Sequence, residues 1–108
     1  MQKISLEATA REQLTAAAGS AAGRASTTVY GGHEHRLRQT VIALMAGQAL
    51  SEHANPGEAT VFVLRGRVRL TTGADAWEGR DGDFLVVPDE LHGLEALEDS
   101  AVLLTVAK

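Results

Sequence analysis

Gly47-x5-His53-x-Asn55-x3-Ala59-x6-Gly66, followed after fifteen residues by Gly82-x5-Pro88-x3-His92, is the stretch whose reading decides the fold of this chain. Its glycines and proline have local physical reasons. Gly66 interrupts the apolar run Val61-Phe62-Val63-Leu64-Arg65-Gly66-Arg67-Val68-Arg69-Leu70, where an interior glycine marks a sharp bend or a bulge. Asp81-Gly82-Asp83 ahead of Phe84-Leu85-Val86-Val87 reads as a tight turn feeding a buried strand, and Pro88 ends that strand by removing a ladder donor.

Outward from this stretch, short strands follow one another closely. Upstream, Arg36 to Met45 alternates Leu37, Val41, Ala43 and Met45 against Arg38, Thr40, Ile42 and Leu44. Both sets turn apolar toward the C-terminal end, as in a strand covered on two sides. Downstream, Val68 and Leu70 are expected inside, with Arg67, Arg69 and Thr71 toward water. Thr72-Gly73-Ala74-Asp75 makes a hairpin, Ala76-Trp77-Glu78 returns, and Leu91 to Leu97 and Ala101 to Ala107 complete about eight strands with the turn spacing of a sandwich or barrel. Before all of these, Ser5 is placed to cap a helix running to about Ala18, with Leu6, Ala10, Leu14 and Ala17 on one face. Gly19 to Ser26 is a small-residue stretch without helix or strand pattern, expected to run loosely over the surface. The organisation expected is an N-terminal helix and linker over 1–25 and a barrel over 26–108.

Composition agrees with one compact domain: 108 residues and 44% hydrophobic content leave room for a single core. With no cysteine, disulfides, thiolate catalysis and cysteine-held zinc are excluded. Ten basic against fourteen acidic residues give a net charge of -4, and no basic stripe interleaves with aromatics, so nucleic acid is not an expected partner. No run has the length of a membrane span, and Glu7 sits where a leader peptide needs apolar residues, so a cytoplasmic protein away from membranes is expected. Neither a nucleophile elbow nor a glycine-rich phosphate loop occurs.

The spacing of the opening stretch resembles the two conserved motifs of the cupin superfamily, over about residues 37 to 107. That resemblance implies an all-β fold, a double-stranded β-helix or RmlC-like jelly-roll barrel, here with a short N-terminal α-helix. It also implies a homodimer. In metal-binding cupins two histidines, a glutamate and a third histidine hold one ion; by the motif, His53 and His92 fall on the first and last of these positions, Asn55 on the second and Ala59 on the glutamate. Glu90 stands where the second motif has glycine. An Asn carbonyl is a weak neutral donor and Ala is none, so the motif is degenerate as a metal cage. Glu58, one residue early, is a reserve ligand, although a one-residue slip in a strand turns a side chain to the other face.

The histidines carry the remaining chemistry. His53 and His92 read either as pocket residues, with a divalent Zn, Fe, Mn or Ni as the ion they would hold, or as neutral imidazoles hydrogen-bonded in a ligand-free core. In Gly31-Gly32-His33-Glu34-His35, an i, i+2 pair would send both rings to one face if the segment were extended, offering two more ligands; the alternative is a solvated loop. His35, Leu37 and Gln39 share parity, which makes Gln39 a candidate pocket group if that face looks inward, with Arg38 on the opposite face as the alternative anchor for an acidic ligand. Trp77 is read as covering a core edge or a subunit contact.

Two functions of different class follow. The first is a non-catalytic or sensory module binding a small molecule, with His53, Asn55, His92, Gln39 and His35 as its polar contacts. The second is a metal-dependent enzyme, of dioxygenase or isomerase type, using an atypical shell from His53, His92, His33 and His35. A purely structural barrel, filled by its own side chains, is the third possibility that the fold alone leaves open.

Overall fold

The structure, a computed structural model, describes residues 2–53 and 57–108, with Glu52 and His53 described by their backbone only. Chain order begins with helix α1 (Leu6–Ala18), then β1 (Arg24–Tyr30), β2 (Leu37–Leu44), β3 (Ala49–His53), β4 (Glu58–Arg65) and β5 (Arg67–Thr72). It closes with β6 (Ala76–Arg80), β7 (Phe84–Val86), β8 (His92–Ala96) and β9 (Ser100–Ala107). The strands form two antiparallel sheets, one in the order β1-β2-β9-β4-β7 and one in the order β3-β8-β5-β6, which pack face to face as the expected jelly roll.

Helix α1 starts where the sequence places it: Ser5 keeps an extended backbone and its Oγ accepts the Ala8 N–H at 3.1 Å. Ala10 and Ala17 are fully covered, so the helix meets the outer face of β1 and β2 through methyl groups and lies close to the sheet. Val41 and Ala43 of β2 are buried on that outer face, while Ile42 and Leu44 turn into the space between the sheets. Strand β2 is therefore apolar on both sides because it is sandwiched between helix and core.

Between the sheets, alternation assigns Ala59, Val61 and Val63 of β4, Val68 and Leu70 of β5, Leu94 and Ala96 of β8, and Val102 and Val106 of β9 to one aliphatic core. On the opposite side of the four-stranded sheet, Arg67 and Arg69 face carboxylates of Glu78, Glu95 and Glu98 at 3.3 to 3.8 Å. Such exposed pairs stabilise little individually, but they keep this face polar.

Two expectations are corrected. Phe84 to Val87, read as a buried strand, gives the edge strand β7, with Phe84 61% and Val86 70% exposed because only β4 pairs with it. Arg24, Ala25 and Ser26, assigned to a loose linker, begin β1 and pair with Leu44, Ala43 and Ile42 of β2. The pairing is carried by backbone hydrogen bonds and needs no apolar alternation, so a strand of Ala, Ser and Thr leaves no periodic signal.

The chain crosses between sheets at Gly66, whose φ of +94° lies in the left-handed region. A Cβ there would collide with Ser100 Oγ and the Asp99 carbonyl. Ser100, itself buried, accepts the Arg67 N–H at 3.0 Å and donates to the Glu98 carbonyl at 2.7 Å, and Asp81 Oδ1 accepts the Gly66 N–H at 2.7 Å. The corner is thus closed on both sides of a residue that has no side chain. Gly66→Ala is expected to lower the free energy of unfolding by about 2–4 kcal/mol, strain and collision together. Gly73→Ala, in a turn where an added Cβ meets nothing, should change it by less than about 0.5 kcal/mol; denaturant titration of both variants measures the contrast.

Candidate functional site

Strand register determines which residues ring the barrel mouth. Arg38 of β2 stands opposite Val106 of β9, Val106 stands opposite Ala59 of β4, and the Val87 N–H donates to the Ala59 carbonyl at 3.0 Å. Val106, Ala59 and Val87 are buried core residues, so Arg38 shares their inward face. Across from this row, the other sheet brings His92 opposite Thr72 on one side and opposite His53 on the other. A register shift between Leu50 and His53 breaks the β3–β8 ladder at this end.

His92 is 5% exposed and lies at the top of a cavity of about 20 Å³. Its Nδ1 is 3.0 Å from the Glu90 carbonyl oxygen. A carbonyl only accepts, so Nδ1 is the donor in this contact. The other walls are aliphatic: Ile42, Leu50, Val61, Leu70, Val87, Leu94, Val102 and Leu104. That volume admits about one water-sized group, so side chains fill the barrel itself.

The remaining sequence candidates lie as follows. His53 ends β3 with its backbone opposite His92, and Asn55 lies outside the described residues. Ala59 points inward at 7% exposure and puts a methyl group where the motif has a carboxylate. Glu58, its neighbour, is exposed with the opposite parity. Gln39 is half-buried on the outer, helix-side face, where its Nε2 donates to Thr105 Oγ1 at 3.2 Å. Of the Gln39 and Arg38 alternatives, the inward face therefore belongs to Arg38, which joins none of the ion pairs among the described residues.

His33 and His35 are exposed in the β1–β2 connection. The His35 N–H donates to the Gly32 carbonyl at 3.2 Å, which makes the segment a turn, so strand parity does not align the two rings. The His35 ring instead meets Tyr30 edge-on with centroids 5.2 Å apart. Trp77, opposite Leu70 in the β5–β6 ladder, shares the inward face at the sheet edge and is 44% exposed. Sequence reasoning reached Arg38 only as an alternative. The signal that selects it is its even-numbered parity with Ile42, which becomes decisive only once α1 is known to cover Val41.

Among the described residues, these donors do not make a complete metal shell. No group of three or more His, Asp or Glu residues among the described residues could hold a metal ion. The reason lies in the walls: Ala59 supplies no donor and Glu58 faces away.

The Cupin domain family matches residues 40–107. Among solved structures, a conserved protein of unknown function from Streptococcus pyogenes (SPY1581) superposes with a TM-score of 0.73 at 30% identity, covering 82% of this chain and 77% of that one. An RmlC-like cupin protein from Desulfovibrio desulfuricans gives a TM-score of 0.68 at 27% identity, covering 78% and 81%. A cupin superfamily protein from Desulfitobacterium hafniense gives 0.71 at 18% identity, covering 78% and 76%, and shows the fold alone. No curated protein matches the chain. No helix among the described residues is long and apolar enough to cross a membrane.

Protein purified without chelators and dialysed against Zn, Ni or Mn is expected to carry well under one equivalent of metal by elemental analysis. Ala59→Glu puts a carboxylate on the buried inward face of β4. It should lower the melting temperature in EDTA and recover part of the loss when Mn or Ni is added, while Glu58→Gln should leave metal content unchanged.

Proposed function

The chain belongs to the cupin-domain family, and from that premise we propose that it is a non-catalytic binding module that takes a small organic acid at the mouth of its barrel. The observation that carries this reading is Arg38, an exposed arginine that stands on β2 opposite the buried Val106, with the parity of the cavity-lining Ile42, and joins no ion pair among the described residues. A guanidinium offers a planar fork to a carboxylate, the ligand chemistry it matches best. The His92 imidazole, on the cavity wall, adds a polar contact for a hydroxyl or amide on the same ligand, and the cavity takes one small substituent.

Binding rather than turnover is the reading the lining supports: His92 is the one titratable side chain that lines the cavity among the described residues. A metabolite-sensing role in the cytoplasm fits a site of this kind. The metal-dependent reading, with a dioxygenase or isomerase activity, retains one supporting observation: the β3–β8 pairing sets the backbone of His53 opposite His92. Metal near one equivalent in the dialysis experiment would shift the assignment to it.

Titration with acetate, lactate and benzoate, followed through the imidazole resonances of His92, tests the proposal. At least one carboxylate should bind saturably. Arg38→Ala should weaken it by about 10–100-fold, the loss of one charge-assisted hydrogen-bonded contact, while Gln39→Ala on the outer face leaves it unchanged. Resonances that stay fixed at millimolar carboxylate, or equal weakening by both substitutions, would overturn it.

A further inference from the structure

At one side of the sandwich the five-stranded sheet ends in β1 and the four-stranded sheet ends in β3. Between them lies a groove of about 280 Å³, lined by Arg24, Ala25, Ser26, Ile42 and Leu50. Ile42 and Leu50 also line the small cavity between the sheets, so these two side chains separate the groove from the barrel interior. We propose that the groove is a second binding site, for an aliphatic monocarboxylate whose head group pairs with Arg24 and Ser26 and whose chain lies across Ile42 and Leu50.

Register sets the polar groups beside the apolar wall. Arg24 stands opposite Leu44 and Ser26 opposite Ile42 in the β1–β2 ladder, and directly opposed residues share a face. Leu44 and Ile42 turn toward the space between the sheets, so Arg24 and Ser26 do as well. Both are nevertheless exposed, because β3 is the last strand of the facing sheet. The backbone ahead of Arg24 is held in place: Gly23 has a φ of +67°, and its carbonyl accepts the Met45 N–H at 2.9 Å. A guanidinium and a hydroxyl two residues apart are thus presented next to aliphatic side chains.

The chemistry of the lining selects the ligand. Arg24 takes part in none of the ion pairs among the described residues, and no carboxylate among them lines the groove. An uncommitted planar cation beside a hydroxyl matches a carboxylate, and Ile42 and Leu50 match a saturated chain. One cation and one apolar wall fit one head and one tail, which favours a monocarboxylate over a dianion or a sugar. The two walls differ in restraint. Strand β2, which bears Ile42, is paired on both sides, whereas β3 pairs with β8 alone and its ladder shifts register beyond Leu50. Leu50 is therefore the wall that yields to let the chain tip approach the cavity. The groove uses Arg24 and the barrel mouth uses Arg38, so the two sites stand or fall separately.

The chain has two isoleucines, Ile42 in the groove and Ile4 ahead of α1, so labelling the isoleucine methyl groups gives one reporter and one internal control. Titration with octanoate should shift the Ile42 resonance saturably and leave Ile4 in place. From butanoate through hexanoate to octanoate, each added methylene should tighten binding by about three- to fourfold. Octan-1-ol, with the same chain and no charge, should bind at least about tenfold more weakly. Arg24→Ala should weaken octanoate by about 10–100-fold with an unchanged circular dichroism spectrum, and Ser26→Glu should do the same by setting a like charge at the head group. Arg38→Ala should leave octanoate binding as it is in the wild type. If either groove variant fails to fold, the contrast between octanoate and octan-1-ol decides for the head group. An Ile42 resonance that stays fixed at millimolar octanoate, an Ile4 shift of equal size, equal binding of the alcohol or an affinity independent of chain length would each overturn the proposal. So would octanoate binding that is lost in Arg38→Ala and kept in Arg24→Ala, which would place the acid at the mouth alone.

Discussion

Strand β9 lies between β2 and β4 and pairs with both along nearly its whole length, and the parity of every inward-facing residue in the larger sheet follows from that double register. Val102, Leu104 and Val106 point to the core, so their neighbours at the same level must do so as well. A shift of one residue on either side would expose the aliphatic row and bury the polar one. The same constraint sets the mouth: once Val106 faces the core, Arg38 and Ala59 share its face, Ala59 buried and Arg38 exposed. An arginine at the rim and a methyl group at the place of a carboxylate thus follow from one ladder.

Much of this was legible in the letters. The serine cap and the spacing of Leu6, Ala10, Leu14 and Ala17 mark α1 to its last residue because capping and a 3.6-residue period are local properties. Gly66, Gly82 and Pro88 mark corners for equally local reasons, and two of them carry the positive φ that favours glycine. Residues 24–30 were not legible as a strand, since what holds β1 is the backbone of β2 on one side and a helix above. Nor could parity be decided within β2, where both faces are apolar. That decision needed the helix, a contact between segments more than twenty residues apart.

The candidate site shows the same division. Motif spacing located His92 and the backbone of His53 opposite one another, an outcome of two loops of defined length. It could not say that Gln39 would be drawn to Thr105 on the far face, or that the loop bearing His33 and His35 would turn. Those outcomes depend on which neighbour satisfies each polar group when water is removed. The barrel interior is tightly filled by branched aliphatic side chains, so the polar groups that could meet a ligand lie toward its rim.

Trp77 is the single indole of the chain, inward-facing in the β5–β6 ladder and partly open to solvent at the edge of the barrel. Its emission therefore belongs to one place in the molecule. Quenching by iodide, a colour shift or a change in lifetime would report on the local environment of that edge without a label. The fold has, in effect, placed its own optical gauge beside the opening between its sheets.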